Sequence, residues 1–202
     1  GIMCGIILLI FVFSNNVNKN VAENMIGRML YISVDNENTK AYMYDFDTKT
    51  NISLSQLEKY GNVKKMQFIK ADMVAGICVN EDVVGIYTLP LDGQASLLYQ
   101  MEDVKEIIAF DCDDKGETLL VAYEDTNGNS CVFSIKLSGD VIQYVTEDKK
   151  VTGACFSYNN EKVLVSVKKD NTVIYSSKIA DTSLSAECMI GQKKGSVVST
   201  YD

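Results

Sequence analysis

Apolar and polar residues alternate over runs of four to eight positions along most of the chain, and short polar breaks separate the runs. Residues 162–167 and 172–179 are two such runs, with Lys168-Lys169-Asp170-Asn171 between them. A period of two rich in Val, Ile, Tyr and Phe is the signature of half-buried strands, and Asp, Asn and Gly supply the dihedrals that tight turns require. The pattern predicts strands over about 63–69, 74–79, 83–91 and 95–100, and near the start three strands over about 28–34, 40–47 and 52–57.

The runs repeat. Val34, Tyr42 and Phe46 have the same relation as Val79, Tyr87 and Leu91, and as Val167, Tyr175 and Ile179. Tyr123, Phe133 and Leu137 form a fourth copy with two extra residues in its turn, so the aromatic recurs at intervals of 45, 46 and 42 residues. A second marker agrees: Phe68, Phe110, Phe156 and Tyr201 each close a short apolar segment, at intervals of 42, 46 and 45. Four antiparallel strands at this spacing is the arithmetic of a β-propeller blade. A lone blade exposes both faces of its sheet, so burial requires stacking of successive blades. A β-sandwich is the alternative all-β arrangement, but it needs no such period.

The expected fold is therefore all-β, a propeller of four-stranded antiparallel blades over about 28–60, 63–101, 104–146 and 151–191. Residues 196–202 begin a further strand. A closed four-bladed ring is one arrangement; a portion of a larger ring is the expected one. Phe156 and Tyr175 are expected to pack between blades.

Phe156-Ser157-Tyr158-Asn159-Asn160-Glu161-Lys162 followed by VLVSV resembles the strand opening of TolB-type, WD40-like propeller repeats. Phe110 to Gly116 followed by ETLLVA is a looser copy, while Val173-Ile174-Tyr175, Gly85-Ile86-Tyr87 and Leu91-Asp92-Gly93 are similar to later parts of the same repeat. The resemblance covers about residues 28–202 and lacks the Gly-His and Trp-Asp pairs of true WD40 repeats, since the chain has neither His nor Trp. It implies protein–protein contact through blade-edge loops or the axial face. It also admits a second reading, because propellers resembling this one precede the catalytic domain of prolyl-oligopeptidase-like peptidases.

Residues 2–13 (IMCGIILLIFVF) are uncharged and apolar, and the first charge is Lys19. A helix of this length spans about 20 Å, short of the ~30 Å hydrocarbon core, so the run reads as the end of a transmembrane anchor or as the apolar part of a signal peptide. Residues 1–20 are then anchor and polar linker, and either reading places the rest outside the cytoplasm. A buried core helix or strand is the remaining alternative.

Charge and composition narrow the chemistry. A net charge of −8, with lysines and arginines scattered, argues against a nucleic-acid partner. The absence of histidine removes Ser-His-Asp and Cys-His catalysis and His-ligated zinc. Cys4, Cys78, Cys112, Cys131, Cys155 and Cys188 form no C-x-x-C and read as small buried hydrophobes, a disulfide being the alternative in an exported domain. Asp111-x-Asp113-x-Lys115-Gly116 begins like a calcium loop, but Ala122 stands at its twelfth position; Asp125-x-Asn127-x-Asn129 has Lys136 there. Both read as turns. Asp45, Asp47, Glu124 and Asp125 cluster at loops without the spacing of an acid–base pair, and Asn51-Ile52-Ser53 matches a glycosylation acceptor. No catalytic, metal or cofactor residue is assigned, and the expected partner is a protein.

Overall fold

A computed structural model of the chain describes residues 27–36, 38–144, 146, 150–168 and 172–190. They divide into two compact units, residues 1–102 and 103–202, and each unit holds two antiparallel sheets. The expectations for the apolar run 2–13 and for the strand 196–202 lie outside the described residues. Among those described, no helix is long and apolar enough to cross a membrane.

In unit 1 the first sheet is β1 (Arg28–Asp35), β2 (Asn38–Asp45) and β3 (Thr50–Ser53), in that order. A helical turn, α1 (Ser55–Glu58), leads to the second sheet of β4 (Asn62–Lys70), β5 (Met73–Asn80), β6 (Val83–Pro90) and β7 (Ser96–Met101). Unit 2 repeats the meander twice. Its sheets are β8 (Val104–Cys112), β9 (Thr118–Asp125), β10 (Ser130–Lys136) and β11 (Val141–Tyr144), then β12 (Lys150–Phe156), β13 (Lys162–Lys168), β14 (Thr172–Lys178) and β15 (Ser185–Ile190). Every strand pairs antiparallel with its neighbour in sequence, the simplest connection for short turns.

The sequence period has a physical counterpart. The residue that closes each third strand donates its N–H to the carbonyl just before the second strand: Phe46 to Gly27 at 2.6 Å, Leu91 to Asp72 at 2.8 Å, Leu137 to Glu117 at 2.9 Å and Ile179 to Glu161 at 3.3 Å. Tyr42, Tyr87, Phe133 and Tyr175 lie on the third-strand equivalents β2, β6, β10 and β14, while Phe68, Phe110 and Phe156 lie on the first strands β4, β8 and β12. By this alignment β1 corresponds to β5, β9 and β13. Among the described residues the first sheet therefore shows no strand corresponding to β4, β8 and β12.

One element departs from expectation. Residues 52–57 do not form a single strand: β3 stops at Ser53 and Ser55–Glu58 turn into α1. Leu54 and Leu57, three apart, point the same way on a helical turn and both are buried. Leu57 packs so tightly on β5 that a Cβ at Gly76 would sit 2.9 Å from its Cδ1.

Each unit has its own core. In unit 1, Leu30, Ala41 and Met43 of the first sheet meet Leu57, Val63, Phe68, Val74 and Tyr87. In unit 2, Leu120, Ala122 and Val132 meet Phe156, Val163, Val165 and Val167, with Tyr175 packed against them. Burying a side chain of this size contributes about 1.5–3 kcal/mol, which only sheet-on-sheet packing can supply to a two-faced sheet. Phe156 is a packing residue between two sheets, as its position in the repeat implies.

Candidate interaction site

Of the carboxylates and turns that sequence reading singled out, Asp45, Glu124, Asp125 and the Asp113 turn are already engaged, while Asp47 is exposed. Asp45 Oδ1 accepts the N–H groups of Asp47 and Thr48, and Arg28 Nε lies 3.3 Å from its Oδ2. The Thr48 N–H foremost, and Arg28 with it, hold the Asp45 carboxyl below its ordinary range. Asp125 accepts the Asn129 amide, foremost in holding it low, and the N–H groups of Asn129 and Asn127. Glu124 accepts from Lys105 at 2.5 Å, with Lys150 at 4.0 Å. Asp113 Oδ1 takes the N–H groups of Glu117 and Thr118, closing the calcium-like loop as a turn. No group of three or more metal-ligating side chains occurs among the described residues.

Cys78 is buried, and burial pushes its thiol up to about 12, so it remains protonated at neutral pH and is no nucleophile. Cys112, Cys131 and Cys155 are partly buried. The side chains of Cys4 and Cys188 lie outside the description.

Asp111 has a structural role that its sequence position concealed. Its Oδ2 accepts the Phe156 N–H at 2.9 Å, tying β8 to β12. Burial, the largest influence, pushes this carboxyl above its ordinary value; the N–H groups of Phe156 and Cys112 oppose the shift. The folded chain thus holds this proton to higher pH than the unfolded chain does. The associated stability is present below the unfolded-state pKa and is lost as pH rises through the folded one. Asp111→Asn keeps an acceptor without the charge, so its stability relative to the parent is expected to rise with pH across that window and then level off. Asp111→Ala strands the Phe156 N–H and is expected to cost about 1–3 kcal/mol. Denaturant unfolding of both variants between pH 3 and 7 checks this, and a flat Asn-minus-parent difference rules it out.

What remains uncommitted is the first sheet. Its strands alternate, so Leu30, Ala41 and Met43 face the core while Met29, Tyr31, Tyr42 and Tyr44 share the opposite face. Tyr31 and Tyr42 are directly cross-strand, with ring centroids 5.2 Å apart and planes at 19°. The Tyr31 hydroxyl donates to Asn51 Oδ1 at 3.0 Å, which occupies the asparagine of the glycosylation-like motif. Tyr44 meets Phe46 edge-on at 4.8 Å, and Phe46 is 51% exposed.

The repeat shows how unusual this openness is. Tyr87, equivalent to Tyr42, is 8% exposed, stacked on Tyr60 at 4.2 Å within the unit 1 core. Phe133 is buried, and Tyr175 packs on the unit 2 core. Among the described residues, the first sheet is where this face presents a tyrosine pair and an exposed phenylalanine.

Its backbone is open too. Thr39 donates its N–H to Asn62 Oδ1, Ala41 donates to Glu58 Oε1, and Leu54 donates to the Ala41 carbonyl. These odd-numbered β2 residues therefore turn away from β1, and their cross-strand partners Val34, Ile32 and Leu30 turn to the far side of β1. Side chains thus cap the β2 groups beyond the short β3, whereas β1 pairs on one side alone among the described residues. Sequence reading marked Tyr42 as a repeat position but missed Tyr31. The two-residue hairpin turn after Asp35 fixes the register that sets these tyrosines opposite each other.

No family model matches the chain, and no curated protein matches it. Solved structures do. TolB from Acinetobacter baumannii matches with a TM-score of 0.66 at 14% identity, over 86% of this chain and 44% of that one. A prolyl endopeptidase structure matches at 0.61 and 13%, over 82% and 28% of the two chains. The β-propeller domain of the Trilobed protease from Pyrococcus furiosus matches at 0.52 and 8%, over 80% and 53%. The chain spans less than two thirds of the length of each. At these identities the likeness is one of fold, and its conclusion is that the four sheets are built and ordered as β-propeller blades.

Proposed function

We propose that the chain is a non-enzymatic, extracytoplasmic, membrane-tethered propeller module that binds another protein through its first sheet. The observation that carries this reading is the face of half-buried Tyr31, Tyr42 and Tyr44 with exposed Phe46, where the residues equivalent to Tyr42 are buried at Tyr87 and Phe133 and half-buried at Tyr175. Tyrosine, phenylalanine and methionine are the side chains enriched at protein interfaces, since they bury large area at small conformational cost. The apolar run 2–13 supports the tether. The absence of histidine and the inert Cys78 thiol support binding rather than hydrolysis.

The test is a photo-crosslinking residue at Phe46 in intact cells, with Val141, exposed on β11, as the control position. A discrete adduct at position 46, weakened by Tyr42→Ala and absent at 141, is expected. Identical adducts at both positions, or none at 46, overturn the reading.

A second reading takes these blades as the propeller portion of an enzyme, and the likeness to the prolyl endopeptidase favours it. That reading requires a nucleophile and its histidine to lie outside these 202 residues.

A further inference from the structure

We propose that the Asn127-Gly128 step in the turn between β9 and β10 is a site of spontaneous modification, where ring closure and hydrolysis replace Asn127 by aspartate and isoaspartate and so open the turn. The proposal is independent of the protein-binding reading above. It concerns the loop Asp125-x-Asn127-x-Asn129, whose spacing begins like a calcium site but whose bonds are those of a turn.

The reaction needs a side-chain amide, the backbone nitrogen of the next residue, and room for the two to meet. Among the chain's asparagines, Asn127 alone precedes glycine. Glycine leaves its own nitrogen unshielded, because no Cβ stands beside it. Asn127 and Gly128 are both exposed, and nothing lies within 4 Å of a Cβ built on Gly128. Asn129 shares the loop without these features. Its amide donates to Asp125 Oδ2 at 2.9 Å, and it precedes Ser130, which is buried. Asn36 lies in the corresponding turn of the first sheet, but Glu37 follows it.

The step balances with water as its only co-reactant. The Gly128 nitrogen attacks Cγ of Asn127, a C–N bond forms, and the Cγ–Nδ2 bond breaks. The departing Nδ2 takes the proton that Gly128 loses, relayed by water, and leaves as ammonia. Water then opens the succinimide at either of its carbonyls. Opening at Cγ gives aspartate. Opening at the main-chain carbonyl gives isoaspartate, which carries the backbone through the side chain and adds a methylene to it.

The turn restrains this reaction and is undone by it. Gly128 donates its N–H to the Asp125 carbonyl at 3.0 Å, so the attacking nitrogen is released when that bond opens locally. Isoaspartate lengthens the main chain between Thr126 and Gly128. The bond from Gly128 to Asp125 then no longer fits, nor does that from Asp125 to the Asn129 carbonyl at 2.8 Å, because loop length selects the turn. A new carboxylate also stands beside Asp125, whose Oδ1 accepts the N–H groups of residues 127 and 129. The pairing of Ser130 with Glu124 is the next to loosen.

The experiment incubates the full chain at mildly alkaline pH, with and without denaturant. Peptide mapping by mass reads the replacement of –NH2 by –OH, and chromatography separates aspartate from isoaspartate. Conversion at Asn127 is expected to run about tenfold faster than at Asn129 or Asn36, to yield isoaspartate, and to accelerate in denaturant. Asn127→Gln would have to close a larger ring, and conversion at that position is expected to slow by about tenfold or more. The aged chain is expected to unfold at lower denaturant than Asn127→Asp, which carries the charge without the longer backbone.

An Asn127 that stays intact in the folded chain while it converts in denaturant would overturn the proposal, because the turn would then protect the site. Equal rates at Asn127 and Asn129 would do the same, as would aspartate as the sole product, which marks direct hydrolysis without a ring. An aged chain as stable as Asn127→Asp would overturn the opening of the turn.

Discussion

Gly61→Ala is expected to destabilise the chain by about 3 kcal/mol or more, through two costs that act together. Gly61 has φ +114°, a conformation that side chains rarely adopt, and a Cβ built there would lie 2.3 Å from the Val79 carbonyl oxygen. That oxygen belongs to the backbone of β5, so it cannot swing aside as a side chain could. The consequence reaches the first sheet, because Gly61 ends α1 by donating its N–H to the Glu58 carbonyl at 3.2 Å. α1 in turn seats Leu57 in the core and aims Glu58 at the Ala41 N–H. Gly139 supplies the control: its φ is +98°, but nothing lies within 4 Å of its would-be Cβ. Gly139→Ala should therefore cost only the backbone strain, about 1–2 kcal/mol. Denaturant unfolding of the pair is the measurement, and equal losses would show that the carbonyl contact is not the cause.

How much of this was legible in the sequence depended on whether the deciding contact was local. The strands and their period were readable because alternation and turn chemistry are local, and the hydrogen bond from Phe46, Leu91, Leu137 or Ile179 spans a single hairpin. α1 was not readable. In Ile52-Ser53-Leu54-Ser55-Gln56-Leu57 the apolar spacing starts at two and ends at three, and so short a run fits a strand as well as one helical turn. Packing on Gly76 makes the choice, and that packing is non-local.

The candidate site was half legible. Tyr42 stood out as a repeat marker, and the turn after Asp35 fixed its pairing with Tyr31, yet nothing local distinguishes Tyr42 from Tyr87. Tyr87 is buried because a second sheet and Tyr60 lie on it; among the described residues of unit 1 Tyr42 has its stack on Tyr31 and is half-buried. The brace from Asp111 to Phe156 was hidden for the same reason, since its partner lies 45 residues away.

Tyr144→Ala is expected to cost about 3–5 kcal/mol and Tyr144→Phe about 1–2 kcal/mol, and the gap between them is informative. Tyr144 is 1% exposed at the end of β11, with its ring inside the unit 2 core. Its hydroxyl lies 3.0 Å from Ser134 Oγ on β10 and donates to the Ile179 carbonyl, also at 3.0 Å. Ile179 follows β14, so one side chain ties the third sheet to the fourth. Burial pushes the phenol above its ordinary value, which keeps the donor proton in place well into alkaline pH. The alanine variant loses the ring and leaves a cavity. The phenylalanine variant loses the hydroxyl alone and strands the buried Ser134 hydroxyl and the part-buried Ile179 carbonyl, a cost set by desolvation rather than by packing. Ser134→Ala added to Tyr144→Phe removes one of those stranded groups, so the double variant is expected to cost less than the sum of the singles. Additive losses in denaturant unfolding would show that the two hydroxyls do not share a bond. In that case the Ile179 carbonyl alone holds the fourth sheet to Tyr144.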